Sequence, residues 1–207
     1  MPTEALRKSI DRQLEARDRA GAIEVALDAV STGGVGIVDL YDVLSDILVD
    51  VGASWQAGNT EVWQEHLVTS VVRNIVEACA PVVSESLPEP IGRTVILATP
   101  PDEFHDLGLR MLADRFALAG WTVHLLGASV PVDQLIDAIS ELGADCVALS
   151  VSTHFSRLTL RPYVEAVKAA QPDLVVWVGG PAFRNEASTW FDEEMLDISS
   201  LSSSGSG

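Results

Sequence analysis

The first half of the chain has apolar residues at helical spacing. Leu6, Ile10 and Leu14 recur every four positions, and three further apolar stripes follow, separated by short polar connections. Thr60 is predicted to cap the last of these segments, which runs to about Cys79. The pattern predicts four amphipathic helices that form a four-helix bundle over residues 1–84.

The second half changes its period after the segment 84–93, which is rich in proline and is predicted to be a linker. Short β-branched runs alternate with helical stretches, a pattern typical of a parallel sheet wound on both faces. The predicted strands are 94–98, 121–126, 145–150 and 174–178, and the predicted helices are 105–119, 131–142 and 156–170. We therefore predict an α/β fold, with a Rossmann-like domain over 91–198 after the helical bundle.

The end of the chain is less regular. The run "MLDIS" (195–199) is too short and too weakly patterned to decide whether a fifth strand forms. We expect residues 199–207, rich in serine and glycine, to form a disordered tail.

Composition and charge narrow the classes of partner. Hydrophobic residues make up 47% of the chain, which is enough for a core, and the formal net charge is −17. Such a charge repels nucleic acid and anionic membranes, so we expect neither as a direct partner.

Cys79 and Cys146 lie in separate apolar runs, as buried thiols of a reducing compartment do, and no secretory signal precedes them. A cytoplasmic location is expected.

Candidate chemistry follows the first predicted strand, in "TPPDEFHDLG" (99–108). Ligands of open parallel sheets bind at the carboxyl ends of the strands, and His105 falls on that edge. Glu103 can hold one ring nitrogen of His105 and leave the other as a metal ligand, while Gly108 permits close approach to the helix start. The alternative is an ordinary surface histidine near a helix N-terminus.

Small and hydroxylated residues occupy the ends of the third and fourth strands. Ser150 and Ser152 follow one strand, and Gly179 and Gly180 follow the other. A backbone edge without side chains, lined by hydroxyls, suits an elongated ligand tail lying along the sheet.

These three elements resemble the cobalamin-binding signature of corrinoid proteins: "EFHDLG", then "SVS", then "GG". The resemblance covers about residues 20–185 and includes the helical cap. It implies that His105 is the lower axial cobalt ligand and that Glu103 orients it. It also implies a pocket for the nucleotide tail of the cofactor, lined by Gly108, Ser150, Gly179 and Gly180. Ser152 stands where leucine or threonine is usual.

The helical half carries a second motif. Trp55 is followed after nine residues by Glu65-His66, a spacing that resembles the cap of CarH-type cobalamin photoreceptors. The resemblance implies that Trp55, Glu65 and His66 surround the 5′-deoxyadenosyl group of adenosylcobalamin. An indole offers area for stacking on a nucleoside, and a carboxylate accepts hydrogen bonds from ribose hydroxyls. The alternative is that Trp55 and Trp63 fill the bundle interior and that Glu65 and His66 are a solvated pair.

Two features depart from the CarH type. Gln56 stands where those receptors carry a histidine that binds cobalt after illumination, so His66, His154 or water must take that role, or the output differs. The chain also begins at the bundle, without a DNA-binding domain, and we expect a stand-alone sensor that signals through self-association or a downstream protein.

The resulting hypothesis is a non-enzymatic light sensor in which photolysis of the cobalt–carbon bond of adenosylcobalamin drives a conformational or oligomeric change. The alternatives are a corrinoid methyl carrier of a methyltransferase system and a structural domain without a cofactor. Photocobilins resemble this architecture and hold a bilin in addition. Biliverdin is thus a further candidate chromophore, with His154, Arg157 and Arg161 as partners for its propionates, unless these are solvated residues of a helix start.

Overall fold

A computed structural model describes residues 3–183, apart from the side chain of His154. The chain divides into two compact units, Met1–Ser86 and Leu87–Gly207. The boundary after Ser86 falls within the segment predicted to be a linker. The run "MLDIS" and the serine-rich tail lie outside the described residues.

The first unit consists of helices. They are α1 (Thr3–Glu15), α2 (Arg19–Ser31), α3 (Ile37–Gln56), α4 (Val62–Ala78) and the short α5 (Ala80–Glu85). α1 packs on α2 and α3, and α4 packs on α2 and α3, so the four long helices share one core. Fully buried Leu6, Tyr41 and Ile75 belong to that core, which confirms the predicted bundle.

The turn between α3 and α4 differs in detail from the prediction. Glu61, not Thr60, caps α4, and the backbone N–H of Glu61 donates to the Gln64 side chain at 2.9 Å. The Thr60 hydroxyl instead meets the Ser54 hydroxyl at 2.5 Å and closes the turn. Gly58, with φ of +74°, supplies the left-handed residue that the turn needs.

The second unit alternates strands and helices. The elements are β1 (Thr94–Ala98), α6 (Leu107–Leu118), β2 (Thr122–Gly127), α7 (Val132–Leu142), β3 (Cys146–Ser150), α8 (His154–Ala170), β4 (Val175–Gly179) and a 3₁₀ turn at Pro181–Phe183. The strands pair in parallel in the order β2-β1-β3-β4. One face packs Val95 and Leu97 against Phe116 of α6, and the other packs Ile96 against α7 and α8. The doubly wound α/β fold is therefore confirmed.

The strands differ in burial. The side chains of β2 are only half-buried or exposed, whereas those of β1 and β3 are mostly buried. β2 is an edge strand of the described sheet, while β1 and β3 are central. Because the strand order reverses between β1 and β3, the ligand crevice of such a fold lies at the carboxyl ends of these two strands.

Candidate cofactor site

The loop after β1 is anchored by a buried threonine. The Thr99 hydroxyl donates to the Glu103 carbonyl at 2.5 Å and accepts from the Ser129 N–H at 2.8 Å. The Ser129 N–H also lies 3.1 Å from the Glu103 carbonyl oxygen. These bonds join the loops after β1 and β2, and they fix the backbone of Glu103.

The Glu103 side chain is 1% exposed and joins the loop after β1 to the loop after β3. One carboxylate oxygen accepts from the Ser152 N–H at 2.8 Å. The other accepts from the His105 N–H at 3.0 Å and lies 2.5 Å from His105 Nδ1. A buried carboxylate with this many donors is costly to disturb, because each donor would lose its partner.

Electrostatics favour the ionised form of Glu103. Burial raises the pKa of this carboxyl, but the hydrogen bonds from Ser152 and His105 outweigh it and hold the pKa below its ordinary value of 4.5. The side chain of Ser156, which is itself buried, adds another hydrogen bond that lowers the pKa. Near neutral pH the group is a carboxylate, which can only accept hydrogen bonds.

His105 presents its second ring nitrogen outward. Since Glu103 can only accept, Nδ1 of His105 donates to it, and Nε2 is the ring nitrogen left for a metal. The ring is 67% exposed, and α6 begins two residues later at Leu107. A carboxylate on one nitrogen and an outward lone pair on the other is the arrangement of a metal-binding imidazole.

Glycine shapes both sides of this edge. A Cβ added to Gly108 or to Gly179 would find no atom within 4 Å, so the backbone is open to a ligand at both positions. Gly180 differs: its φ is +110°, and a Cβ there would lie 2.4 Å from the Val151 carbonyl oxygen and 2.9 Å from the Ser150 hydroxyl. Ser150 pairs with Gly179 in the β3–β4 register, so the structure brings these predicted residues together.

Large apolar side chains are exposed on the loop after β1 and at the start of α8. Phe104 is 69% exposed, and Phe155 and Leu158, one turn apart on α8, are 68% and 60% exposed. The Glu103–Ser152 bond ties the loop of Phe104 to the segment that leads into α8. Exposed apolar side chains of this size indicate a surface that binds a ligand or a partner.

The structure adds supporting roles to those we predicted. The Ser152 backbone N–H donates to Glu103, and the place of Ser152 in the pocket lining stays a prediction. Thr99, Ser129 and Ser156 support the site but were not predicted. Nothing in the sequence distinguishes these three residues from other serines and threonines, because the bonds that join the loops form only in the folded unit.

The helical unit places its predicted residues at the α3–α4 turn. Trp55 lies in the last turn of α3, and Glu65 and His66 lie in the first turns of α4. Nδ1 of His66 lies 2.5 Å from one oxygen of Glu65, and the Thr69 hydroxyl donates to the other at 2.7 Å. The Glu65 carboxylate is thus held from both sides, and the His66 ring is 73% exposed.

The alternative for the tryptophans is wrong. Trp55 is 46% exposed and Trp63 is 54% exposed, so neither fills the bundle interior. The Arg17 guanidinium lies 5.3 Å from the centroid of the Trp63 ring, a cation–π contact at the surface.

The residues considered for a bilin do not form one exposed set. Arg157 is 8% exposed and lies 5.2 Å from the centroid of the Phe183 ring, so the solvated alternative is wrong for this residue. Arg161 is exposed and pairs with Glu165 at 2.8 Å. The side chain of His154 is not among those described.

Within residues 3–183, no three side chains of His, Cys, Asp or Glu converge as a metal site would require. One helical stretch, Val62–Glu85, is long and apolar enough to cross a membrane, but a core helix of a soluble protein meets the same test. Its Val72 and Ile75 are fully buried in the bundle. The expectation of no membrane partner stays a prediction.

Comparisons with known families match both units. A family model described as "B12 binding domain" covers residues 93–198, and a second model with the same description covers residues 6–80.

Individual relatives extend this match. The chain is 35% identical over 185 residues to the HTH-type transcriptional repressor CarH of Myxococcus xanthus. The aligned region covers 88% of this chain and 60% of the repressor. It is 24% identical over 189 residues to a corrinoid protein of Desulfitobacterium hafniense, across 88% of this chain and 82% of that protein. The solved monomethylamine corrinoid protein of Methanosarcina barkeri shares the fold, with a TM-score of 0.77 and 18% identity over 96% of this chain and 94% of that one.

Proposed function

The chain belongs to the B12 binding domain family, and on that premise we propose that it is a non-enzymatic light sensor whose chromophore is adenosylcobalamin. The observation that carries the proposal is the exposed set Trp55, Glu65 and His66 at the α3–α4 turn. A bundle that only needed a core would bury its tryptophan and would not hold an imidazole with a carboxylate. The 35% identity to CarH supports the same interpretation.

The α/β unit fits a cobalamin whose own lower base has been displaced. His105 would bind cobalt through Nε2, with Glu103 orienting its ring. The open backbone at Gly108 and Gly179 leaves room for the displaced nucleotide tail, next to the Ser150 hydroxyl.

The helical unit would distinguish the adenosyl group from smaller upper ligands. The half-exposed indole of Trp55 can stack on adenine, and Glu65 can accept from ribose hydroxyls. When bound, adenosylcobalamin supplies a cobalt–carbon bond that visible light breaks. The protein would then repack or change its oligomeric state and so signal to a second copy or to a downstream protein. We propose a cytoplasmic setting for this exchange.

The test uses the full chain loaded with adenosylcobalamin in darkness. Absorption spectra and size-exclusion chromatography are recorded before and after green light. We expect a changed spectrum and a changed hydrodynamic size. An identical spectrum and size in both states would refute light sensing.

A parallel sample with biliverdin tests the bilin: co-elution of its absorption band with the protein supports a second chromophore, and its absence from the protein peak rejects one.

The second candidate function is a corrinoid methyl carrier. The 24% identity to a corrinoid protein over 88% of this chain and 82% of that protein favours it. A carrier predicts preferential retention of methylcobalamin and the same retention in the Trp55→Ala variant. A sensor predicts preference for adenosylcobalamin and loss of that preference in the variant.

A further inference from the structure

We propose that Ser129, on the loop after β2, is a positioning residue for the cobalt ligand His105. It acts through the turn at residues 100–103 and through Glu103, at which that turn ends. The inference rests on the proposed binding of cobalamin through His105. It concerns the α/β unit alone, and it gives the loop of an edge strand a part in holding the metal ligand.

The turn before His105 has a backbone conformation that does not suit its sequence. The Glu103 N–H donates to the Pro100 carbonyl at 3.2 Å, and Asp102, the third residue of the turn, has φ of +65°. A proline in second position and a positive φ in third position are features of a type II turn, in which glycine is the usual third residue. Because Asp102 carries a side chain, this conformation is strained and persists only where neighbouring groups hold it.

Ser129 holds the turn from the opposite loop. Its hydroxyl accepts from the Asp102 N–H at 3.2 Å, and its own N–H donates to the Thr99 hydroxyl at 2.8 Å and lies 3.1 Å from the Glu103 carbonyl oxygen. Ser129 is itself strained, with φ of +55°. Three non-glycine residues within residues 3–183 have a positive φ, and two of them are thus hydrogen-bonded to each other. Strain of this kind is kept where the surrounding structure fixes it, often at functional sites.

The loop that carries Ser129 is fixed on both sides. The Thr99 N–H donates to the Gly127 carbonyl at 2.9 Å, and the Val130 N–H donates to the Thr99 carbonyl at 3.0 Å. The Tyr163 hydroxyl of α8 donates to the Val130 carbonyl at 3.0 Å, and Tyr163 is buried. The Ser129 hydroxyl therefore has a defined place from which to restrain the turn.

The turn passes this restraint to His105. The Glu103 carboxylate accepts from the His105 N–H at 3.0 Å and lies 2.5 Å from its Nδ1. The orientation of a metal-binding imidazole is set by the carboxylate at its other nitrogen. A shift of the Glu103 backbone would move that carboxylate, so loosening the turn should misdirect the ring without changing any group that contacts it.

The first measurement uses the full chain without cofactor. Ser129→Ala removes the hydroxyl, and Ser129→Gly removes it while accepting φ of +55° freely. Ile139→Val is the matched control, because Ile139 is 3% exposed in the core beside α7, and loss of its buried methylene lowers stability away from the turn. Hydrogen exchange by NMR should be faster at the His105 amide in both Ser129 variants, beyond any change in global stability, and should keep the wild-type protection in Ile139→Val.

The second measurement loads each protein with adenosylcobalamin in darkness. We expect equilibrium binding to weaken by about tenfold in both Ser129 variants, the lower end of the loss when a metal ligand is deprived of its support. The absorption spectrum should also show a fraction of bound cobalamin without histidine ligation. Ile139→Val should keep the wild-type affinity and spectrum, since lower stability alone does not reorient His105.

Asp102→Gly tests whether the effect travels through the turn. Glycine accepts φ of +65° without strain, so the turn needs less support, while the backbone N–H remains. Ser129→Ala should therefore weaken cobalamin binding less in the Asp102→Gly protein than in the wild-type protein. Equal weakening in both would mean that Ser129 does not act through the turn, and the inference would be wrong.

The outcomes distinguish this inference from the function it rests on. If the Ser129 variants keep the wild-type affinity, spectrum and His105 exchange, Ser129 has no positioning role, and the inference is refuted while cobalamin binding stands. If Ile139→Val shows the same changes as the Ser129 variants, the changes report stability alone and the inference is again refuted. If the wild-type protein takes up no corrinoid, the proposed function itself fails.

Discussion

Glu103→Gln is the most informative change in the α/β unit. The substitution keeps the size of the side chain but replaces one acceptor oxygen with an NH₂ donor. In the structure both oxygens accept: one from Ser152, the other from the N–H and ring of His105. Whichever way the amide turns, at least one of these donors faces another donor at the 1% exposed site.

The expected cost follows from the bonds lost. A hydrogen bond to a charged group contributes about 1.5–3 kcal/mol, so the free energy of unfolding of the α/β unit should fall by about that amount. We also expect the affinity for cobalamin to fall by about 10–100-fold, because the His105 ring loses the partner that orients it.

The effect should depend on pH in a defined direction. The pKa of Glu103 is lower in the folded protein than its ordinary value of 4.5, so protonation favours the unfolded chain. The stabilisation is complete above pH 4.5 and is lost as the pH falls through the lower folded-state pKa. The difference in unfolding free energy between wild type and variant should therefore shrink in acid.

Hydrogen exchange by NMR gives a local measurement. The amides of Ser152 and His105 should exchange faster in the variant, while chemical denaturation gives the unfolding free energy at several pH values. Glu165→Gln is the matched control, since its partner Arg161 is 64% exposed and such a surface pair contributes little. Equal stability of wild type and Glu103→Gln at pH 7, with unchanged exchange at both amides, would refute the reasoning.

Three further predictions concern glycine, threonine and tryptophan. Gly180→Ala should lower the melting temperature, because its Cβ would lie 2.4 Å from the Val151 carbonyl oxygen. Gly179→Ala should keep the wild-type melting temperature but bind cobalamin more weakly. Equal melting temperatures of the two variants would contradict this. Thr99→Val should cost about 1–3 kcal/mol in denaturant unfolding, since it leaves buried loop groups without their partner; an unchanged midpoint would count against it. The free energy of unfolding of Trp55→Ala should lie within about 1 kcal/mol of the wild-type value, because the ring is 46% exposed. The variant should lose the preference for adenosylcobalamin over methylcobalamin in equilibrium binding. A preserved preference would argue against the adenosyl contact.

Some features could be predicted because they depend on local pattern. The helical period of Leu6 and Ile10 and the short runs at β1 and β3 indicated the bundle and the parallel sheet. Once the sheet was expected to be parallel, the residues after its strands had to share one edge, which brought His105 and Gly180 into one candidate site.

Other features depended on neighbours distant in sequence. Thr60 has the side chain of a helix cap, but the turn gives it Ser54 as a partner and leaves the cap to Glu61. Trp55 and Trp63 have the apolar character of core residues, yet they lie on the exposed side of their helices. Residue type alone does not distinguish these outcomes.

The sequence by itself determined the fold class, the strand-end position of His105 and the spacing of Trp55 to Glu65, since periodicity and chain order fix these. The tertiary structure decided which atoms form the hydrogen bonds of the site. Only folding buries the Glu103 carboxylate and brings it to the Ser152 N–H, 49 positions away, so that the pKa of Glu103 falls. Such bonds join loops that meet only after the sheet has formed, and the alternation of polar and apolar residues carries no record of them.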